Sequence, residues 1–291
     1  MILVTGAAGH LGSLVIEHLL ARMPTDQIVA GVRHPVKVAN LQARGVKVRL
    51  ADYDQPEQWP AALEGVDKVL LISAPEVGAR TSQHKTVIDA VRSSGTVKLI
   101  AYTSMLRADT SSVPYASEDR ETERMIRESG VPHVFLRHGW YTENYTMSAG
   151  FAVQEGTLYG CAKNGCISGA SRSDYAEAAA TVLSAGDAPK PIYELAGDTS
   201  FTLTEMAAEI SRQSGRPVAY VDLPPADYRA LMVSYGLPES LANTLALADT
   251  GAAHGDVYCE AGDLSRLIGR PTTPLAVTVE DALSEDQGGA P

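Results

Sequence analysis

Three closely spaced glycines near the amino terminus have the arrangement that binds a phosphate group. Gly6, Gly9 and Gly12 follow the apolar run Met1–Thr5 and accompany the start of an amphipathic stretch, Leu11–Leu20. Glycine lets the backbone turn sharply and lets a pyrophosphate come close, and the first N–H groups of the next helix then face the anion. The order of strand, glycine turn and helix therefore predicts a dinucleotide-binding site.

The residue after the second apolar run distinguishes between two dinucleotides. Ile28–Val32 ends at Arg33, about 20 residues past Gly12, where an NAD-specific site carries an acid that accepts from the ribose 2′-hydroxyl. Here that position is an arginine, and His34 and Lys37 follow it. A guanidinium can donate two charge-assisted hydrogen bonds to a 2′-phosphate. The sequence predicts NADPH over NADH, and the alternative is an arginine that is only solvated at a strand end.

The usual pair for alcohol oxidation is missing from its expected place. A short-chain dehydrogenase carries Tyr-x-x-x-Lys on the helix after the fifth strand, where the lysine lowers the pKa of the tyrosine. The matching segment here is Tyr115–Asp119, and residues 99–162 contain no lysine. The pair Tyr159 and Lys163 has the spacing but lies in a glycine-flanked turn, so we interpret it as a coincidence.

Length, charge and cysteine content limit the class of protein. The 291 residues allow one large α/β domain, or one with a small appended lobe. A net charge of −11 argues against a nucleic-acid partner, and no apolar run approaches membrane-spanning length. The first strand begins at residue 2, which leaves no room for a signal peptide. The sparse cysteines Cys161, Cys166 and Cys259 fit a reducing compartment and no metal site, so we expect a cytoplasmic protein without a metal.

Strand-like and helix-like runs alternate through the first half of the chain. The predicted strands are residues 1–5, 28–32, 46–50, 68–73, 97–103 and 134–137, and the predicted helices between them are 11–20, 36–43, 56–63, 81–94 and 117–129. Six such repeats predict an α/β fold with a Rossmann-type doubly wound parallel sheet. In such a sheet, ligands lie at the carboxyl ends of the strands.

The second half of the chain is less regular and predicts a smaller substrate lobe. We expect a nucleotide-binding domain over residues 1–138, an interleaved lobe over 139–283 that closes over the reactive end of the cofactor, and a disordered tail over 284–291. Within the lobe, Asp174–Ser184 is a predicted helix with Asp174 as its N-cap. Thr202–Gln213 is another, and it begins with a capping-box pattern.

Eight short segments together resemble a known family. They are Gly6–Gly12, Ala51–Tyr53, Leu71–Ser73, Glu76–Gly78, Ala101–Ser104, Gly139–Tyr145, Glu194–Gly197 and Ile268–Thr272. They look like the NmrA-like atypical short-chain dehydrogenases, above all the NAD(P)H:quinone oxidoreductase type 2 group, over residues 1–283. The Gly139–Tyr145 segment is specific to that group, whereas the glycine loop is shared widely. The group commonly has a Glu-His pair where this chain has Glu118 and Asp119.

The resemblance implies direct hydride transfer, without a flavin, from NADPH to a small-molecule electron acceptor such as a quinone. It implies cofactor contacts along four segments and donors in the acceptor pocket. The implied cofactor residues are Gly6, Ala8, Gly9, His10, Leu11 and Gly12 at the pyrophosphate, Arg33 at the 2′-phosphate, Ser73 and Glu76 along the ribose path, and Tyr102, Thr103, Ser104, Gly139 and Trp140 around the nicotinamide. We expect Tyr141 and Asn144 to be the catalytic donors in the acceptor pocket.

Other interpretations of these residues stay open. Tyr141 can be a packing aromatic, Asn144 a loop-stabilising amide, Trp140 a wall, and Glu76 a helix cap. The same pocket can reduce dyes or imines, and some NmrA-like proteins bind NADP(H) as regulators without catalysis. A homodimer is expected by analogy alone.

Overall fold

The computed structural model describes residues 1–186 and 189–288, and within them nine strands form two sheets. The strands are β1 (Ile2–Val4), β2 (Ile28–Val32), β3 (Lys47–Leu50), β4 (Lys68–Leu71), β5 (Leu99–Met105), β6 (His133–His138), β7 (Thr157–Gly160), β8 (Ile192–Leu195) and β9 (Ala219–Asp222). The central sheet has the order β3-β2-β1-β4-β5-β6-β8, and every pair in it is parallel. The predicted Rossmann-type α/β fold is confirmed.

Thirteen α-helices connect and cover the strands in the described part of the chain. They are α1 (His10–Leu20), α2 (Ala39–Ala43), α3 (Trp59–Ala62), α4 (Arg80–Ser94), α5 (Ala116–Glu128), α6 (Glu143–Thr146), α7 (Ala149–Glu155), α8 (Arg172–Ser184), α9 (Leu203–Ser214), α10 (Pro225–Ser234), α11 (Glu239–Ala253), α12 (Asp263–Ile268) and α13 (Leu275–Gly288).

The apolar strands are buried on both faces because helices cover each side of the central sheet. Successive side chains of a strand point to opposite faces. Ile2 and Val4 therefore pack with α1 and α8 on one side, whereas Leu3 packs with α3 and α4 on the other. This double burial explains why the strands are continuous apolar runs without alternation.

The chain returns to the central sheet after residue 138. β8 pairs with β6 as the seventh strand, and α8 packs against α1. The sequence does not reveal this pairing, because it depends on residues that are far apart in the chain. The remaining part of 139–283 surrounds a second apolar core with the two-stranded sheet β7-β9, and this core includes Leu158, Leu203 and Ile210.

Two local predictions were wrong and one was right. The predicted disordered tail begins too early, because α13 continues through Gly288; residues 289–291 lie outside the described residues. Val279 and Leu283 of this helix pack on the second core, which explains its extent. Ser171, not Asp174, caps α8, since its side chain accepts from the Asp174 N–H at 3.1 Å. The capping box at Thr202 is confirmed.

Candidate functional site

A cleft of about 490 Å³ opens where β1, β2 and β4 end. The chain moves from β1 outward to β2 and β3, then crosses to β4 on the other side, so the strand order reverses at this point. Ligands of doubly wound sheets bind in the crevice at such a reversal. Ten of the sequence-predicted residues line the cleft. These are Gly6, Ala8, Gly9, His10, Leu11, Gly12, Arg33, Ser73, Glu76 and Tyr141.

The glycine loop forms a tight turn that leads directly into α1. Gly6 has φ of +58°, and the Gly9 N–H donates to its carbonyl oxygen at 2.9 Å. A Cβ on Gly12 would lie 2.4 Å from that same oxygen, so only glycine lets the helix pack this closely on the loop. The first turn of α1 contains no acidic side chain and has no side-chain cap. Its free N–H groups and the helix dipole therefore favour an anion.

Hydrogen bonds fix the strand ends below the cleft. The Ile72 N–H donates to Thr5 Oγ1 at 2.9 Å, and the Tyr53 hydroxyl donates to the Ile72 carbonyl oxygen at 2.7 Å and lies 2.5 Å from Thr5 Oγ1. Next along the chain, the Ser73 N–H donates to Thr103 Oγ1 at 2.8 Å. The Ser73 hydroxyl is buried without a partner among the described residues. It is thus free to bond a ligand in the cleft.

Basic residues gather at the β2 end of the cleft. Arg33, His34 and Lys37 all line it. The Arg33 guanidinium lies 3.6 Å from the Glu76 carboxylate, and both side chains are about half exposed (54% and 43%). An exposed pair of this kind is weak. A dianionic phosphate can therefore replace Glu76 as the partner of Arg33.

Two predicted residues of β5 point away from the cleft and towards α5. The Tyr102 hydroxyl donates to Asp119 at 2.5 Å, and the Ser104 hydroxyl donates to Glu123 at 2.7 Å. Burial raises the pKa of Asp119 to about 6, although the Tyr102 hydrogen bond opposes this rise. The structure therefore engages these two side chains in a buried network under α5. The sequence correctly indicated that Tyr102 and Ser104 lie near the carboxyl end of a strand, but not that their side chains face α5.

The segment after β6 separates the cleft from a second cavity. Tyr141 lines the cleft, whereas Trp140 and Asn144 line the neighbouring pocket. Gly139 begins the segment and lies close to Tyr175. A Cβ added to Gly139 would lie 3.0 Å from the Tyr175 hydroxyl. This segment thus contributes side chains to both cavities.

Aromatic and cationic groups fix the Tyr141 ring. The ring packs edge-on against Tyr175 with centroids 5.4 Å apart, and the Arg172 guanidinium lies 4.9 Å from its centroid. Its hydroxyl lies 3.4 Å from His138 Nδ1. Burial raises the pKa of Tyr141 to about 12, so the phenol stays protonated and can donate a hydrogen bond.

Arg172 is a site residue that the sequence analysis missed. It lines the cleft, and its guanidinium donates to Asn144 Oδ1 at 2.5 Å. The backbone N–H of Arg172 donates to the Glu143 carboxylate at 2.8 Å. The residue lies just after the Ser171 cap of α8, far in sequence from the other site segments. Its only sequence signal was a basic residue at a helix start, which is not specific.

The second cavity is an apolar pocket of about 300 Å³. Its walls come from the 139–145 segment, α6, α7, β7, α9, α10 and α11, and most of the wall residues were not predicted as site residues. They include Trp140, Asn144, Tyr145, Phe151, Leu158, Leu203, Tyr228, Met232, Tyr235, Leu237, Leu245, Ala248 and Asp249. Such a pocket suits a small, mostly apolar molecule.

The sheet order, the glycine loop at its reversal and the adjoining basic cluster define a dinucleotide-binding α/β protein. The sequence model of the NAD(P)H-binding family matches residues 6–185, and the chain belongs to this family. It is 50% identical to quinone oxidoreductase 2 of Escherichia coli over 279 residues, which are 96% of this chain and 97% of that protein. The resemblance stated from the sequence is confirmed.

Solved structures agree with this assignment. The crystal structure of the NADPH-dependent quinone oxidoreductase of E. coli in complex with NADPH matches with a TM-score of 0.94 and 49% identity, over 97% of this chain and all of that one. The triphenylmethane reductase of Citrobacter sp. in complex with NADP(H) matches with a TM-score of 0.93 and 36% identity, over 97% and 100% of the two chains.

Two further features bear on the expectations from composition. Within residues 1–186 and 189–288, no helix is long and apolar enough to cross a membrane. In the same residues, no group of three or more His, Cys, Asp or Glu side chains is placed to hold a metal ion.

Proposed function

We propose that this protein is an NADPH-dependent oxidoreductase that passes hydride directly to a quinone or a similar conjugated electrophile. One observation carries the proposal: a basic, glycine-lined nucleotide cleft and an apolar pocket meet at the Gly139–Tyr145 segment. The similarity to an NADPH-dependent quinone oxidoreductase over nearly the whole chain supports it.

The residues of the cleft fit NADPH. The free N–H groups at the start of α1 suit the pyrophosphate, and the buried hydroxyl of Ser73 suits a ribose oxygen. Arg33, with Lys37 beside it, suits the 2′-phosphate. Tyr141 lines the same cleft but follows β6, four strands from β2, a span of roughly 19 Å at the usual strand spacing. An extended dinucleotide can bridge that span.

NADPH, when bound, supplies two electrons and a proton as hydride, and the protein has to position the acceptor. We assign Tyr141 and Asn144 as the polar donors at the junction of the two cavities, and Trp140 as the pocket wall. Arg172 orients both donors through its contacts with the Tyr141 ring and the Asn144 amide. A quinone accepts hydride readily because its product is aromatic, so fixed positioning contributes much of the rate. The absence of a Tyr–Lys couple fits this chemistry.

Two alternatives predict different behaviour. Reduction of a cationic dye in the same pocket is favoured by the 36% identical triphenylmethane reductase. A regulator that binds NADP(H) without catalysis needs no acceptor pocket beside the cofactor, and the apolar pocket disfavours it.

Several finer statements belong to this proposal. We propose that the chain is divided into a nucleotide-binding domain at 1–138 and an interleaved substrate lobe at 139–283. We also propose a cytoplasmic location, a homodimer and no nucleic-acid partner. The net charge of −11 supports the lack of a nucleic-acid partner.

The test follows NADPH oxidation by absorbance with a panel of benzoquinones, naphthoquinones and cationic triphenylmethane dyes. Binding of NADPH is measured separately by fluorescence titration. We expect turnover with at least one small quinone. Tight NADPH binding with no oxidation by any acceptor would favour the regulator, and turnover of dyes alone would reassign the acceptor.

A further inference from the structure

One acidic side chain lies at the closed end of the apolar pocket. Asp249 of α11 is 3% exposed and is the one carboxylate among the described residues that line this cavity. At the open end, Met147 and Tyr235 are exposed (66% and 41%), whereas Tyr145 and Tyr228 are buried beside Asp249. An acceptor that fills the pocket from its mouth therefore meets a polar inner end.

One oxygen of the Asp249 carboxyl group is not used in hydrogen bonds within the described residues. Its Oδ2 accepts from the Cys161 N–H at 2.8 Å, while its Oδ1 accepts no hydrogen bond from the described residues. The Tyr145 hydroxyl, which lies beside Asp249 in the same pocket, is buried and makes no hydrogen bond of good geometry with the described residues. Buried polar atoms in native proteins are nearly always hydrogen-bonded, so the Tyr145 hydroxyl beside this cavity is available to bond a ligand that enters it.

The surroundings of Asp249 favour its neutral, proton-bearing form. Burial raises its pKa to about 6, and the Cys161 backbone N–H, together with the nearby Cys161 and Tyr145 side chains, opposes part of this rise. The titratable groups that face it are either neutral or negatively charged. They are Tyr145, Cys161, Tyr220, Asp222 and Tyr228. None of them supplies a positive charge that would stabilise the carboxylate. An apolar ligand in the pocket excludes more water and raises the pKa further.

We propose that the Asp249 carboxyl donates a hydrogen bond, and then its proton, to an oxygen of the conjugated acceptor. This inference rests on the proposed function and names a group for a proton that the reaction requires. Hydride brings two electrons and one proton to the acceptor. The O–H bond of the carboxyl breaks as an O–H bond forms on the acceptor oxygen, which gives the neutral hydroquinone. The carboxylate regains a proton from water after the product leaves.

The acceptor class follows from this geometry. The ligand is a mostly apolar, conjugated molecule with an oxygen at the end that enters first. An acceptor that becomes neutral by taking hydride alone, such as a cationic triphenylmethane dye, does not need the Asp249 proton.

The test compares the wild type with Asp249→Asn. The amide keeps the shape of the side chain and can still accept from the Cys161 N–H, but it cannot release a proton. Because burial disfavours a carboxylate, we expect the neutral amide to fold at least as stably above pH 6, which a thermal melt checks. The matched control is Asp256→Asn, just beyond α11, where the carboxylate accepts from Ser112 and does not line the pocket.

We expect kcat/KM for a naphthoquinone to fall by at least about tenfold in Asp249→Asn, since general acids contribute about 10²-fold or more. The Kd for NADPH should not change, and the control should match the wild type. In the wild type, kcat/KM should decline as the pH rises through the pKa of the free carboxyl, about 6, and this decline should vanish in the variant. A larger effect on quinones than on dyes would support the proton-donor role.

Two other outcomes separate this inference from the proposed function. Wild-type turnover of quinones with unchanged kcat/KM and pH profile in Asp249→Asn would overturn the inference alone. A wild type that binds NADPH but oxidises it with no acceptor would overturn both. If the variant does not fold, the wild-type profile decides, because a kcat/KM that is flat between about pH 5 and 8 would exclude a donor with this pKa.

Discussion

The nucleotide cleft and the apolar pocket are adjacent, but the chain builds them in different ways. The cleft is formed by loops that directly follow strands of the sheet, and much of its anion-binding capacity is backbone N–H groups of α1. The pocket is formed by side chains from five helices, one strand and the loops beside them, spread from Trp140 to Asp249. Backbone geometry makes the glycine turn of the cleft intolerant of an added Cβ at Gly12, whereas the pocket depends on the size and polarity of individual side chains.

This difference explains how one nucleotide site can serve relatives with different acceptors. The similar proteins include a quinone oxidoreductase and a triphenylmethane reductase, both solved with the same type of cofactor. A change of a pocket side chain alters which molecule fits and leaves the glycine turn untouched. Substitutions in the cleft should therefore act on NADPH, and substitutions in the pocket on the acceptor.

The largest effect is expected from Gly12→Val. A Cβ there would lie 2.4 Å from the Gly6 carbonyl oxygen and 2.8 Å from the Ala7 Cα, and backbone atoms cannot move aside cheaply. We expect the Kd for NADPH, measured by fluorescence titration, to rise at least about a hundredfold, or about 2.7 kcal/mol. Gly186→Val is the control, because an added Cβ there meets no atom within 4 Å. Unchanged NADPH binding in Gly12→Val would show that the turn does not hold the pyrophosphate.

The next effect tests the cation at the β2 end. Arg33→Asp should lower the preference for NADPH over NADH by roughly 10- to 100-fold, because hydrogen bonds to charged groups contribute about 1.5–3 kcal/mol. The measurement is the ratio of kcat/KM for the two cofactors. Arg44→Asp is the matched control, since Arg44 forms a comparable half-exposed ion pair with Glu17 outside the cleft. An unchanged ratio in Arg33→Asp would exclude Arg33 as the group that binds the 2′-phosphate.

A substitution in the pocket should act on the acceptor alone. Ala248 is buried on the pocket wall, and Ala248→Phe places a ring in the 300 Å³ cavity. We expect KM for a naphthoquinone to rise about tenfold, a loss of about 1.4 kcal/mol, while the Kd for NADPH stays within about twofold. Leu241→Phe, at an exposed position of the same helix, should change neither value. Equal losses for cofactor and acceptor would contradict the separation of the two regions.

The smallest effect concerns the partner of Arg33. Glu76→Gln removes a carboxylate that competes with a phosphate for the guanidinium. Because exposed ion pairs contribute about 0–1 kcal/mol, the Kd for NADPH should fall by no more than about fivefold. Glu17→Gln, which removes the carboxylate beside Arg44, is the control. Weaker NADPH binding in Glu76→Gln would instead indicate that Glu76 itself contacts the cofactor.

The parts of the site that sequence analysis found are those encoded by neighbouring residues. The glycine loop, Arg33 and Ser73 each follow a strand that its own apolar run revealed, and all three line one cleft. Arg172 gave no such signal, because its relation to Asn144 exists only after residues 28 positions apart meet. Tyr102 and Ser104 illustrate the opposite error: their position at a strand end was clear, but the side on which α5 packs decided where they point.

By itself, the sequence determined the Rossmann-type sheet and the glycine turn between β1 and α1, and it put Arg33 at the end of β2, where we expect it to bind a 2′-phosphate. These follow from local rules, since a glycine turn between strand and helix has the same geometry wherever it occurs. Only the tertiary structure decided that β8 completes the central sheet, that α10 and α11 form the walls of the pocket, and that Asp249 lies buried at its inner end. Those features depend on which distant surfaces exclude water from one another, and no spacing along the chain specifies that.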